Sequence, residues 1–178
     1  MNHFQRPIFA FVGPSGSGKT TLMLELLTRM PHDLGIIRSV TSRAQRNEAD
    51  ALWYRFVTRE DILRMRDHGE LIQYLDYAGN LYGMAKQDAN TILASRCGVQ
   101  AFVEAAIKQF TDAGYRMIVI KVTPQGNPVS EDERRRIADI ERANMPIHVD
   151  MEVINSFAPG GKEKAATELE AFMRGYLT

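Results

Sequence analysis

The chain has 178 residues, 44% apolar and 25% charged, with Lys+Arg and Asp+Glu equal at 22 each. That length and composition suit one soluble domain with its own core and small insertions, and the charge balance excludes a global field for nucleic acid or an anionic membrane. The lone Cys97 excludes an intrachain disulfide, and no segment has the apolar run of a leader or a membrane span, so the expected setting is cytoplasmic, with no nucleic-acid or membrane partner.

Taken in order, Ile8-Phe9-Ala10-Phe11-Val12 is a short apolar run between Pro7 and Gly13 and reads as a buried parallel strand. Gly13-Pro14-Ser15-Gly16-Ser17-Gly18-Lys19-Thr20 follows, and then Thr21 to Leu27 carries apolar residues spaced for one helix face. Pro31 to Gly35 reads as a turn and Ile36 to Val40 as a second strand. Thr41 to Glu48 is polar and aperiodic, hence a loop. Trp53 to Val57 predicts a short strand. Thr58 caps a helix with Asp61 at the capping-box position, and Gly69 ends it. Leu71 to Tyr77 and Leu81 to Met84 flank Ala78-Gly79-Asn80, the pattern of a hairpin. Residues 36–84 therefore read as a small β-rich insertion rising from a parallel core. Asp88 to Ala94 is a short helix, Gln100 to Glu104 the next core strand, Ala105 to Ala113 a helix, and Tyr115 to Val122 the clearest buried strand. After the breakers Gly126-Asn127-Pro128, Ser130 and Glu133 form a capping box on a helix carrying Arg134, Arg135, Arg136 and Arg142. Asp150 to Asn155 is the last strand, and a helix with Ala165, Leu169, Phe172 and Met173 on one face closes the chain. Alternating strands and helices imply an α/β fold, a parallel sheet with helices on both faces.

The octapeptide carries the chemistry. It fits G-x-x-x-x-G-K-[ST], and it lies between a strand and a helix as a phosphate loop must. Glycines let successive backbone N–H groups curl toward an anion, and the following helix adds its positive end. Gly13, Ser15, Gly16, Ser17, Gly18, Lys19, Thr20 and Thr21 are thus expected to bind the phosphates of a nucleoside triphosphate. Lys19 reaches the outer phosphates, and the Thr20 hydroxyl is the expected Mg²⁺ ligand. Two further positive groups narrow the reaction. Arg43 and Arg46 lie in the loop before Tyr54, with Tyr82 on the hairpin; guanidinium forks and phenol hydroxyls suit a second, phosphate-bearing substrate. The arginine helix after residue 128 suits a lid that neutralises a transferring phosphoryl group and excludes water.

Over most of its length the sequence resembles the guanylate kinases. The marks are the phosphate loop, Ser39-Val40-Thr41-Ser42-Arg43-Ala44-Gln45-Arg46 with Glu48, Tyr54-Arg55-Phe56-Val57, Gly69-Glu70-Leu71-Ile72, and Gly79-Asn80-Leu81-Tyr82-Gly83. The resemblance implies a P-loop NTPase-type three-layer sandwich: a five-stranded parallel core, a β-rich acceptor-binding insertion and a helical lid. By that resemblance the core is 1–35 with 93–125 and 145–178, the insertion 36–92 and the lid 126–144. It implies ATP and Mg²⁺ as cofactors, GMP or dGMP as acceptor, and a monomer or homodimer. It assigns Ser39, Arg43, Arg46, Tyr54, Gln73, Tyr82 and Glu104 to the acceptor, Asn155 to the donor adenine side, and Lys19, Arg43 and Arg136 to catalysis.

Three positions depart from the family pattern. Gln73 stands where a glutamate reads the guanine edge, Met84 where a small hydroxyl residue follows Tyr82-Gly83, and Phe102 where an acidic strand end begins, with Glu104 as the remaining carboxylate. An amide oxygen and NH₂ cannot offer a carboxylate's two acceptors. Phosphate-handling residues are kept and base-reading ones altered. This leaves a guanylate-kinase-like enzyme for another phosphorylated acceptor (a modified nucleotide or a sugar phosphate) as one alternative, and a non-catalytic interaction module as a second. The intact Lys19-Thr20 pair opposes the module.

Overall fold

The computed structural model describes residues 6–77, 79–126 and 147–177. The arginine-rich segment, including Arg136 and nearly all of the expected lid, lies outside the described residues. The described elements are β1 (Ile8–Val12), α1 (Lys19–Arg29), β2 (Leu34–Ile36), β3 (Ser39–Thr41), α2 (Asp50–Trp53), β4 (Tyr54–Phe56), α3 (Arg59–Asp67), β5 (Leu71–Tyr77), β6 (Asn80–Ala85), α4 (Lys86–Leu93), β7 (Cys97–Ala101), α5 (Glu104–Asp112), β8 (Met117–Gln125), β9 (Met151–Ser156) and α6 (Gly161–Arg174).

Five strands pair in parallel in the order β2-β7-β1-β8-β9. The central strand β1 is buried at every position, and its side chains alternate between two layers. Phe9 and Phe11 pack with Leu22, Met23 and Leu26 of α1 and Ala166, Leu169 and Met173 of α6. Ile8, Ala10 and Val12 pack with Ala89 and Leu93 of α4 and Ala106, Ile107 and Phe110 of α5. Helices thus cover both faces, the condition under which an all-parallel sheet is stable. Each of the larger side chains among these contributes roughly 1.5–3 kcal/mol of apolar transfer.

A second sheet runs β4-β3-β6-β5, with β3 parallel to β4 and antiparallel to β6, and the β5–β6 hairpin at its edge. Its Val40, Leu81 and Ala85 pack under α3 through Ile62 and Met65. The capping box on α3 forms as expected: Thr58 Oγ accepts from the Asp61 N–H, and Asp61 accepts from the Thr58 N–H. Gly69, at φ 66°, ends the turn after it.

Several boundaries differ from expectation, among them Trp53, which ends helix α2 instead of opening a strand. The run 36–40 is not one strand: β2 ends at Ile36 in the core sheet, and β3 starts at Ser39 in the second sheet. Between them Ile37 is fully buried, and its carbonyl accepts from Gln100 Nε2 at 2.8 Å, so the chain changes sheets at a point that apolar content alone reads as continuous. The strand expected at 100–104 is Cys97–Ala101, and Glu104 opens α5 instead. The small residues Gly98 and Ala101 hide its strand character, and Ile37 and Ile8 pack so closely on Gly98 that a Cβ there would push the Ile37 side chain aside. No helix among the described residues is long and apolar enough to cross a membrane.

Candidate active site

The loop from Gly13 to Thr20 leaves the carboxyl end of β1, where ligands of open parallel sheets sit. Gly13, Gly16 and Gly18 all have positive φ, at 135°, 76° and 89°. A Cβ on Gly13 would strike the Val122 carbonyl, and one on Gly18 would strike the Asn155 amide, so both positions need glycine for space as well as conformation. Gly18 caps α1 with no side-chain hydrogen bond and no acidic residue in the first turn, so no carboxylate offsets the positive end of the helix there. Lys19 Nζ arches over the loop to the carbonyls of Gly13 (2.7 Å) and Pro14 (2.8 Å). Ser17 is wholly buried; Ser15, Gly16, Thr20 and Thr21 are exposed around the mouth. Asn155, expected beside the donor base, is buried at the end of β9 and donates Nδ2–H to the Ser17 carbonyl at 2.8 Å. It braces the loop.

The second sheet gathers the other set. Cross-strand register pairs Ser39 with Tyr54, Thr41 with Tyr82, Leu75 with Tyr82 and Gln73 with Met84. Alternation along each strand therefore puts Ser39, Tyr54, Tyr82, Gln73 and Met84 on one face, with Val40, Arg55 and Leu81 on the opposite, α3-facing side. The Arg43 guanidinium lies on the first face, 5.1 Å from the Tyr54 ring centroid and 5.8 Å from that of Phe56. The Tyr54 and Tyr82 rings meet edge-on at 6.4 Å. Burial pushes the Tyr54 phenol up, with Arg43 pulling the other way, so Tyr54 keeps its proton at neutral pH and can donate to a phosphate oxygen. Arg46 is exposed at the loop rim. Gln73 is buried, and Met84 and Phe102 both join the apolar cluster with Ile72 and Ala106, so the ends of this face toward α5 are greasy where the family pattern is polar. Glu104 stands half-buried in the first turn of α5.

Two residues that sequence reading missed shape this face. Thr41 is fully buried; its hydroxyl donates to the Leu81 carbonyl and accepts from the Arg43 N–H, both at 3.1 Å, which turns the chain off β3 toward the site. Asp50, on the unforeseen helix α2, accepts from Arg43 Nη2 at 3.0 Å and from the Arg46 N–H at 2.9 Å through the same oxygen. The only available signal for Asp50 was a carboxylate four and seven residues from two arginines, which is common by chance.

A phosphate loop on one sheet and an arginine–tyrosine face on a second, joined by a short hinge, are the parts of a nucleoside monophosphate kinase of the P-loop class. The family model described as guanylate kinase matches residues 5–157. A guanylate kinase of Streptococcus thermophilus is 29% identical over 184 residues, covering 92% of this chain and 86% of that one. Another, from Synechocystis, is 31% identical over 140 residues, covering 76% and 72%. The crystal structure of guanylate kinase from Anaplasma phagocytophilum superposes with a TM-score of 0.69 over 97% of this chain and 87% of that one, at 21% identity, which supports the fold. The chain belongs to the guanylate kinase family.

Proposed function

We propose that the protein transfers the γ-phosphoryl group of ATP to the phosphate of a nucleoside monophosphate, with GMP or dGMP the first candidate. The observation that carries this reading is the shared face of Arg43, Tyr54 and Tyr82, two phenols fixed by strand register with a cation held over one of them, on a sheet separate from the phosphate loop. The loop residues Gly13 to Thr20 hold the triphosphate, Lys19 draws charge from its outer oxygens, and Arg43 with Arg46 and the tyrosines presents the acceptor phosphate for in-line attack. The exposed Thr20 hydroxyl at the first turn of α1 fits a Mg²⁺ ligand, and the ion would supply charge neutralisation between the outer phosphates. We assign lid catalysis to the arginine-rich segment expected as the lid, Arg136 included, and acceptor binding to the unit 36–92.

One observation favours a second acceptor. Gln73, buried beside Met84, offers one acceptor and one NH₂, whereas the guanine N1–H and N2–H₂ edge calls for two acceptors. A base or modified ring with adjacent donor and acceptor pairs better with it. A coupled assay of ADP release over a panel of nucleoside monophosphates and sugar phosphates, with and without Mg²⁺, tests both readings. Turnover of GMP supports the first and turnover of another acceptor alone supports the second. ATP binding without any turnover returns the protein to the interaction-module class.

A further inference from the structure

Arg43 carries a long side chain with many rotamers, yet it is held in one place, with its side chain only 10% exposed. Three contacts hold it: the rings of Tyr54 and Phe56 below, the Ala44 carbonyl at 3.1 Å from Nη1, and the Asp50 carboxylate at 3.0 Å from Nη2. Asp50 Oδ2 also takes the Arg46 N–H, so a single oxygen fixes both the guanidinium and the backbone of the second arginine. Asp50 is itself fixed. Its N–H donates to Asn47 Oδ1 at 3.0 Å, and it opens α2, whose last residue Trp53 is buried in the core cluster under β1.

A run of fixed contacts therefore leads from the core through Trp53 and α2 to the arginine. From this geometry we infer that Asp50 is the positioning residue of the acceptor phosphate site, aiming Arg43 and closing the 43–46 loop so that a phosphomonoester meets donors already in place. This rests on the acceptor reading above. Prepaid ordering of a charged side chain shows up as affinity for the anion it later binds. The backbone N–H of Arg46, and after it the Arg43 guanidinium, draws the Asp50 carboxyl below the usual carboxylate range, so the anchor is ionised across the working pH range. Asp50 acts through Arg43 and touches no reacting atom.

The test is a double-mutant cycle on the full chain, with calorimetric titration of GMP, inorganic phosphate and ATP into wild type, Asp50→Asn, Arg43→Ala and the double variant. Asp50→Asn is close to isosteric, and its melting curve checks that the fold is kept. We expect it to weaken GMP or phosphate about tenfold, the loss of one charge-assisted hydrogen bond, and to leave ATP within about twofold. In the Arg43→Ala background the same change should cost clearly less than in wild type, because only the contact to the Arg46 backbone N–H is left for Asp50 to hold. Equal weakening of ATP, an unchanged acceptor affinity, or a full loss that persists without Arg43 would overturn the positioning role. Phosphate binding without GMP binding removes GMP as acceptor but leaves the Asp50 comparison intact; a wild type that binds neither overturns both.

Discussion

Asn155 reaches from the end of β9 to donate its amide to the Ser17 carbonyl at 2.8 Å, tying the last core strand to a loop 138 residues earlier. Both partners are buried, and Gly18 lies so close to the same amide that only a glycine fits there. The shape of the phosphate loop is thus held by a side chain distant in sequence as well as by its own glycines.

Asn155→Ala leaves the Ser17 carbonyl buried without that partner, a cost of about 1–3 kcal/mol. For a chain of this size that lowers the melting temperature by roughly 2–10 °C. Asn155→Asp should be worse, because a carboxylate would face a carbonyl oxygen. ATP titration should weaken in step with the melting curve, and a variant that melts normally and binds ATP normally would remove Asn155 from the loop's support.

Arg43→Ala should split the two substrates. Losing a guanidinium–phosphate contact costs on the order of tenfold to a hundredfold in acceptor KM, with ATP KM little changed. Steady-state kinetics with each substrate varied in turn reads the split, and equal losses for both would count against Arg43 as an acceptor residue.

Gln73→Glu restores a second acceptor on the buried face. With GMP as the acceptor, kcat/KM should rise about tenfold, since a matched polar pair replaces a buried mismatch. A fall for GMP together with a fall for the acceptor that wild type prefers would mean that the amide is matched to a different ring.

Gln100 joins the units at their hinge. Its Nε2 donates to the carbonyl of Ile37 at 2.8 Å, between β2 and β3, and its Oε1 accepts from the Ala101 N–H at 2.8 Å. Gln100→Leu should lower stability by about 1–3 kcal/mol through the orphaned groups. Hydrogen exchange should quicken most around residues 36–39, and uniform acceleration through the core sheet would argue against a local hinge role.

Stability should decline on the acid side. Arg29, then Lys162, hold the Glu25 carboxyl below its ordinary range; Arg174 first, with help from Arg29, does the same for Glu170, and the Arg46 N–H does so for Asp50. Each of these groups binds its proton less readily folded than unfolded, so the stability it adds is present above the unfolded value and lost as pH falls through the lower folded one. The melting temperature should therefore hold near neutrality and drop below about pH 4.5. In 1 M salt the contribution of the more solvent-open pairs within and between α1 and α6 should shrink, while that of the deeper Arg43–Asp50 pair persists. Acid unfolding followed at low and high salt checks both statements.

The arginine–tyrosine face was half legible. Arg43, Arg46, Tyr54 and Tyr82 could be named because arginines and tyrosines in a loop–strand–hairpin run suit phosphate. Asp50 and Thr41 could not, because their work is to bond other side chains and backbone across strands. The break at Ile37 and the early end of β7 were equally invisible, since a fully buried residue between two sheets is as apolar as one inside a strand.

What the sequence by itself determined was the local chemistry: the phosphate loop between strand and helix, the Thr58–Asp61 cap, the β5–β6 hairpin and the α/β alternation. All depend on residues within a few positions of one another, where backbone sterics and short-range hydrogen bonds decide. Only the tertiary structure decided the strand order β2-β7-β1-β8-β9, the brace from Asn155 to Ser17, the clamp of Asp50 on Arg43 and the meeting of Gln73 with Met84. Those pairings are chosen by how buried faces pack together, and the free energy of that packing belongs to the whole assembled core rather than to any stretch of chain.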